Sequence, residues 1–447
     1  MNLKIEDRLV RMTNRISRLN LIRWLIIALI AIPVGFIYWR HSDPRGASTY
    51  FDFEKGYYAA AKALLQGGAS ALKPHFSDMS FVNVPIVAWV LAPIGHLNQQ
   101  SADIAFGALN VVCTLLAIFL LTRQATVRVA TGLCFMFMLN GPIWNALKLG
   151  NSTQIVLLCL VAALALWRRQ NGFLVGLLIG IAAVIKPMLI LFGLYFALKR
   201  QWTVVLGGAT VILAALLGSV AIAGVDTTVY WYQHIVADYA GKPMPAYNVQ
   251  SIEAFILRLS QGPETITTWH PFVLPFWGGI ARDVVFLALF GLVGCALWIG
   301  SSRASPPSSR EPSPQDYLEF SIVLAFCIVT STVSWTHYYL LLLIPYALYF
   351  TGRLPLKDDR LTRTLIWTSL IFCSLPVNRY GFGSKGLETL FHKSLASIWL
   401  IGGLLLFWAL IRGALFSRGA AIIQLPGSAR LERLAANFRR QPFRQPE

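Results

Sequence analysis

The stretch WTVVLGGATVILAALLGSVAIAG, Trp202–Gly224, contains no charged residue and no proline. It meets the roughly 20 apolar residues that a helix needs to cross the hydrocarbon of a bilayer. Runs of this kind recur along the whole chain, and 56% of its 447 residues are apolar while 13% are charged. Soluble domains carry about 25% charged residues, so this chain has roughly half the usual supply of groups for facing water. Its mean hydropathy of +0.59 agrees. A soluble globular enzyme, a disordered chain and a disulfide-stapled secreted domain are excluded. The fold class is an all-α polytopic membrane protein.

Working outward from Trp202, apolar length and the breakers at its ends mark about twelve transmembrane helices, at 21–39, 101–122, 127–143, 153–168, 171–185, 187–198, 202–224, 278–300, 317–334, 336–351, 362–376 and 392–416. Lys186-Pro187 divides one apolar stretch, which we read as a tight hairpin of two short spans. A single long tilted helix is the other reading, and it breaks the alternation of sides. With the N-terminus in the cytosol, alternation puts 25 of the 38 basic residues on the cytosolic side, including Arg168-Arg169, Lys199-Arg200 and Arg353 to Arg363. Membrane proteins enrich their cytosolic loops in Lys and Arg in this way. Both termini are therefore expected in the cytosol. The formal charge of +18 reads as orientation in the bilayer and not as nucleic-acid binding. The six cysteines sit inside apolar runs without CxxC or metal-ligand spacing and read as packing residues.

The expected organisation begins with a basic amphipathic N-terminus, 1–20, and an N-terminal transmembrane module, 21–300. The run Trp24–Trp39 lacks a clear small-x-small cleavage site, so it reads as a retained anchor. A Ser/Pro-rich cytosolic linker follows at 301–316, then C-terminal transmembrane helices at 317–416 and a basic tail, 417–447, on anionic membrane lipid. Two exoplasmic loops, 40–100 and 225–277, are longer than a connection requires, and long loops on a rigid scaffold carry function. In the first, Phe53, Tyr57, Ala60, Ala61 and Leu64 recur at helical spacing. Val84–Leu97, opened by Pro85 and interrupted by Pro93, is short for a span. Both predict juxtamembrane helices on the outer surface.

Polar residues at the boundary of so apolar a chain are informative, because burying an unpaired charge or amide is costly. Five groups stand out, all exoplasmic in this topology. Asp52 opens the first surface helix and reads locally as its N-cap, or as a general base. Asn151, Ser152 and Gln154, with Asn145, Lys148 and Gly150, suit sugar hydroxyls, or a plain capped turn. Lys186 is a cation deep in apolar sequence that suits a lipid-linked phosphate, or snorkels to the interface. Asn248, Gln250, Ser251 and Arg258 form a weaker group in the second long loop. Trp335 and His337 lie in Ser334-Trp335-Thr336-His337-Tyr338-Tyr339, where aromatics suit an interfacial belt and the histidine suits a phosphate or a proton.

In this order the groups resemble the polyprenol-phosphate-sugar-dependent glycosyltransferases of family 87, the polyprenol-phosphate-mannose-dependent α-mannosyltransferases among them, in the GT-C class of membrane enzymes. The resemblance rests on Asp52 to Gly68 with Tyr57-Tyr58-Ala59-Ala60, on Leu91-Ala92-Pro93, and on the turn Gly150 to Gln154. It continues through Gly176 to Gly180 with Lys186-Pro187, Asn248 to Ser251, and Ser334 to His337, covering residues 50–350. Two departures bear on which sugar or acceptor is held: Asn83-Val84-Pro85 replaces an aromatic-Pro-Pro, and the Gly-Gln turn is expanded to five residues.

The resemblance implies a GT-C-type bundle in a bacterial inner membrane with an exoplasmic active site. It implies transfer of a sugar, mannose being the commonest choice, from a polyprenyl-phosphate donor to a hydroxyl of a glycolipid or glycan, with inversion. Asp52 would be the base, Lys186 and Arg258 would neutralise the leaving phosphate, and His337 would support that phosphate or serve as the base. Asn151, Gln154, Asn248, Gln250, Ser251, Trp335 and Tyr57 would contact sugar or acceptor. No metal or cofactor is implied. The rivals are a transporter or flippase of lipid-linked saccharides and a structural scaffold. Neither explains why the five groups share one face.

Overall fold

The computed structural model describes residues 50–123, 125–237, 242–301, 312–375 and 383–416. The basic N-terminus, the expected first span, most of the 301–316 linker and the basic tail lie outside the described residues. Within them the chain is helical. The elements in chain order are α1 (Ala59–Gly67), α2 (Pro85–Val90), α3 (Gln99–Thr122), α4 (Val127–Met138), α5 (Gly141–Leu149), α6 (Thr153–Trp167), α7 (Gly172–Ile185) and α8 (Leu191–Leu198). Then come α9 (Trp202–Trp231), α10 (Ile252–Ser260), α11 (Phe276–Ser301), α12 (Pro314–Thr330), α13 (Leu343–Phe350), α14 (Arg360–Ser374), α15 (Lys385–Lys393) and α16 (Ile398–Phe416).

Among the described residues four helical stretches are long and apolar enough to cross a membrane by themselves: Gln99–Thr122, Trp202–Ala237, Phe276–Gly300 and Lys385–Phe416. The others are shorter. The expected span 127–143 is cut, because α4 ends at Met138 and the Asn140 side chain accepts from the Ile143 N–H at 3.2 Å. Pro142 fits the first turn of the new helix, where a missing N–H costs nothing. The run from Trp202 continues past its expected end through a kink at Gly224, whose φ of +79° a side chain would resist.

Lys186-Pro187 does reverse the chain. Lys186 Nζ reaches Asn151 at the start of α6, 3.3 Å away, whereas the Phe196 ring lies 5.2 Å from Trp167 at the end of α6. The two legs splay, and α7 packs along α9 through glycines. A Cβ on Gly176 would lie 2.1 Å from the Val204 carbonyl oxygen, and one on Gly207 would lie 2.2 Å from that of Phe173. Small residues that let backbones approach are the usual seam between helices in lipid.

α12 is buried on all sides from Tyr317 to Val329 and forms the axis of the core. A second, smaller core holds the helices of the first long loop down: Phe53 stacks on Phe106 of α3 with centroids 4.4 Å apart, backed by Phe76 and Phe81. The surface helix expected from Asp52 is present as a π-helical turn, Phe53–Tyr58, running into α1. At the far end of the bundle Lys199 pairs with Asp316 at 3.2 Å and Glu319 at 2.9 Å, and Arg412 with Asp359 at 2.6 Å.

Candidate active site

The Asp52 carboxylate is not a helix cap. Its own backbone is already helical and its side chain bonds no N–H of the turn it precedes. Instead Oδ2 accepts from the Asn151 side-chain nitrogen at 2.8 Å. Two left-handed residues bring these segments together. Tyr50 has a φ of +69° and donates its N–H to the Lys148 carbonyl at 2.7 Å. Gly150 closes α5 with a φ of +64°, and a Cβ there would lie 2.6 Å from the Tyr50 ring and 2.7 Å from Phe53 Cβ. Left-handed backbone at a non-glycine costs about 1–2 kcal/mol and needs surrounding structure to hold it.

Asn151 is the hub. While its nitrogen serves Asp52, its oxygen accepts from Lys186 Nζ at 3.3 Å, from the Thr153 hydroxyl at 2.6 Å and from the Thr153 N–H at 3.1 Å. One amide therefore fixes a carboxylate and an ammonium relative to each other. The Lys186 ammonium also sits over the Tyr338 ring, 4.6 Å from its centre. Beside this pair the Tyr57 and Ser152 hydroxyls are 2.7 Å apart. Burial pushes the Tyr57 hydroxyl up to about 12, which keeps it a neutral hydrogen-bonding group. Asp52 is half-buried, and that burial raises its carboxyl above the ordinary range, against the pull of the Asn151 hydrogen bond and the Lys186 charge. A carboxylate tuned upward, still reachable from outside, is suited to accepting a proton.

His337 closes the other side. It is buried, its ring lies edge-on to Tyr338 with centroids 5.0 Å apart and parallel to Trp335 at 6.4 Å. Both ring nitrogens lack a partner among the described residues. The neighbouring Thr336 hydroxyl donates to the Asn145 side chain at 2.8 Å, tying this turn to α5. Asp52, Tyr57, Asn151, Lys186 and His337 thus converge from four separate segments.

The remaining expected site residues are placed differently. The Arg258 guanidinium is fully buried and donates through one nitrogen to the carbonyls of Pro245, Ala246 and Val249 at 3.1, 2.9 and 3.0 Å, and through its others to the Ser397 hydroxyl at 3.1 and 2.8 Å. It holds a turn to the start of α16 and is not brought to Lys186. The Gln250 amide donates to the Tyr247 and Ala396 carbonyls at 2.7 and 2.6 Å. Ser251 caps α10, accepting from the Ala254 N–H at 3.1 Å. Asn248 accepts from the Trp269 indole at 2.9 Å. Gln154, with its amide turned to suit its neighbours, bonds the Asn151 carbonyl at 2.7 Å and the Leu147 N–H at 3.1 Å. This second group meets the first through backbone: Val249 pairs with Trp335, and the Thr336 N–H donates to the Asn248 carbonyl at 2.9 Å.

Sequence reasoning missed two contributors as site residues. Tyr338 gives Lys186 an aromatic face, and the signal was its place beside His337. Tyr50, as a left-handed residue, carries no sequence signal at all. Ser152, expected among the polar residues of this turn, anchors Tyr57.

Comparison with known proteins adds identity to this geometry. The family model described as Glycosyltransferase family 87 matches residues 81–313. A polyprenol-phosphate-mannose-dependent alpha-(1-2)-phosphatidylinositol mannoside mannosyltransferase of Mycolicibacterium smegmatis is 25% identical over 363 residues, 74% of each chain. A polyprenol-phosphate-mannose-dependent alpha-(1-2)-phosphatidylinositol pentamannoside mannosyltransferase of the same organism is 26% identical over 353 residues, 76% of this chain and 78% of the relative. An alpha-(1->3)-arabinofuranosyltransferase of Corynebacterium glutamicum is 26% identical over 232 residues, half of each chain. With its apolar helices and its half-length family match, the chain belongs to glycosyltransferase family 87 and is an integral membrane hexosyltransferase.

Proposed function

We propose that the enzyme transfers mannose from a polyprenyl-phosphate donor to a hydroxyl of a glycolipid, at the exoplasmic face of a bacterial inner membrane and with inversion at the sugar. The observation that carries this reading is the Asn151 bridge, which sets the Asp52 carboxylate and the Lys186 ammonium on opposite ends of one amide. The acceptor oxygen attacks the anomeric carbon while Asp52 takes the hydroxyl proton, and the bond from that carbon to the phosphate oxygen breaks. Lys186 neutralises the departing phosphate, and His337 directs a ring N–H at it. A phosphate ester is already a good leaving group, so positioning and charge stabilisation are what the protein must supply. Arg258, Gln250 and Ser251 act at one remove by fixing the turn against which Trp335 and His337 are laid.

The orientation is supported by charge. Asp52, Asn151, Lys186 and His337 gather at one end of the bundle, and Arg123, Arg168, Arg353 and Lys199 lie at the other. A basic end belongs in the cytosol. Mannose is favoured by the two Mycolicibacterium smegmatis relatives, which are polyprenol-phosphate-mannose-dependent.

The test is to incubate the purified chain in detergent with radiolabelled polyprenyl-phosphate-mannose and a membrane-lipid extract, then separate the lipids. A labelled glycolipid made by the wild type and not by Asp52→Asn is expected. Label moving only from another polyprenyl-phosphate sugar would replace mannose. No transfer from any donor, with the donor changing leaflet in liposomes, would hand the chain to the flippase reading.

A further inference from the structure

The segment 80–86 leads from the first long loop into α2, and it is tied down at almost every residue. A Cβ on Gly56 would lie 2.7 Å from the Ser80 carbonyl oxygen, so the segment starts against the turn that carries Tyr57. The Phe81 ring meets the Tyr57 ring edge-on with centroids 6.4 Å apart. The Trp231 indole donates to the Val82 carbonyl at 3.2 Å, and the Ile86 N–H donates to the Ser219 hydroxyl of α9 at 3.0 Å. Asn83 lies between these tethers and is only 4% exposed. Its side-chain nitrogen donates to the Ile185 carbonyl at 3.2 Å, at the end of α7 and one residue before Lys186. The last carbonyls of a helix lack donors from within it, and Asn83 supplies one.

That bond fixes which way the amide is turned. A carbonyl only accepts, so the end of Asn83 that meets Ile185 is its nitrogen, and the oxygen is held on the other side. Among the described residues no group donates to this oxygen. An enclosed amide oxygen without a donor is costly, and a sugar hydroxyl is a donor. Asn83 is joined to Tyr57 through Phe81 and to Lys186 through Ile185, two groups assigned above to the transfer. We propose that Asn83 is a specificity-determining residue, whose side-chain oxygen accepts a hydrogen bond from one hydroxyl of the donor sugar. The inference rests on the transfer reaction proposed above, and it names the donor sugar because Lys186, next to Ile185, takes that sugar's phosphate. An amide locked at its nitrogen end cannot turn to suit another arrangement of hydroxyls. A site that hydrogen-bonds a substrate hydroxyl in this way rejects the analogue lacking it.

The test uses purified full-length protein, a membrane-lipid extract as acceptor, and a series of polyprenyl-phosphate sugars each lacking one hydroxyl. The series is built on the sugar that the wild type transfers, mannose first, and kcat/KM is measured for each donor. The wild type should lose about tenfold on at least one deoxy donor, the scale of one hydrogen bond. Asn83→Leu should lose about tenfold on the parent donor and should no longer discriminate against that one deoxy donor, while discriminating against the rest as the wild type does. Asn83→Asp keeps an acceptor oxygen and gives up the donation to Ile185. Its thermal midpoint should fall along with that of Asn83→Leu, yet the discrimination should remain. A residue that only caps α7 would slow both variants alike on every donor, and that result would overturn the proposal. So would a wild type indifferent to every deoxy donor. If Asn83→Leu does not fold, the discrimination kept or lost by Asn83→Asp decides. A wild type that transfers from no polyprenyl-phosphate sugar would sink the transfer reading and this inference with it, whereas transfer with unaltered discrimination in Asn83→Leu would sink this inference alone.

Discussion

Two buried polar groups of this molecule look alike in the sequence and differ in the structure. Around Arg258 the guanidinium meets three carbonyls and a hydroxyl, and Gln250 beside it is likewise fully bonded. Around Asn151 the bonding is incomplete: Asp52 remains half-exposed and both nitrogens of the buried His337 are unpartnered among the described residues. Buried polar atoms are ordinarily satisfied, so a group left wanting is where a substrate has something to offer. Incompleteness is not confined to the site, since the buried His392 near Arg258 also has both ring nitrogens unpartnered among the described residues. Around Asn151 it coincides with a half-exposed carboxylate and a buried ammonium.

The sharpest way to break this contrast is to remove one member from each side. Asp52→Asn should lower turnover about 10²–10⁴-fold, the usual range for a general base, with the thermal midpoint unchanged. Arg258→Ala should do the reverse. It strands carbonyls in the core at roughly 1 kcal/mol or more apiece, about 3–5 kcal/mol in all, and should be read as a lower midpoint and poorer yield of folded protein. A large fall in midpoint for Asp52→Asn, or none for Arg258→Ala, would dissolve the distinction.

Lys186→Met should raise KM for the donor about 10–100-fold, the value of charge-assisted bonds to a phosphate, with less effect on KM for the acceptor. It should also move the acid limb of the pH–rate profile. Asp52 works deprotonated, so activity falls as pH drops through its raised pKa. Lys186 holds that pKa down, hence its loss shifts the limb to higher pH. An unmoved limb would mean that another group is the base, with His337 the next to test. The smallest effect should come from Gly150→Ala, which forces a side chain into left-handed backbone against Tyr50 and Phe53, for about 1–2 kcal/mol of stability.

Much of this was legible beforehand because lipid imposes simple rules. Apolar run length located Gln99–Thr122 and Trp202–Trp231, and the alternation of basic residues favoured the reversal at Lys186 that the Asn151 and Trp167 contacts display. The break between α4 and α5 was signalled by Asn140 and Pro142, but a reading by apolar run length passed over them. Side-chain partners were the harder part. Asp52 reads locally as a cap before a base until Asn151, 99 residues away, is seen to hold it. Arg258 reads as a phosphate ligand because its acceptors are backbone carbonyls and Ser397, 139 residues distant, and carbonyls leave no mark in a sequence.

The glycine seam between α7 and α9 makes α7 a lever. Gly176 and Gly180 are its bearings, and Lys186 rides at its end, about 9 Å beyond Gly180 at 1.5 Å per residue. The load it carries is a 3.3 Å bond to Asn151 and a seat over the Tyr338 ring. A methyl group added at Gly207 would tilt the arm and be amplified at its tip, where donor and base are aligned. The enzyme's precision is thus vested partly in residues that touch no sugar, and variants that slow it without reaching its active site should cluster along this hinge line.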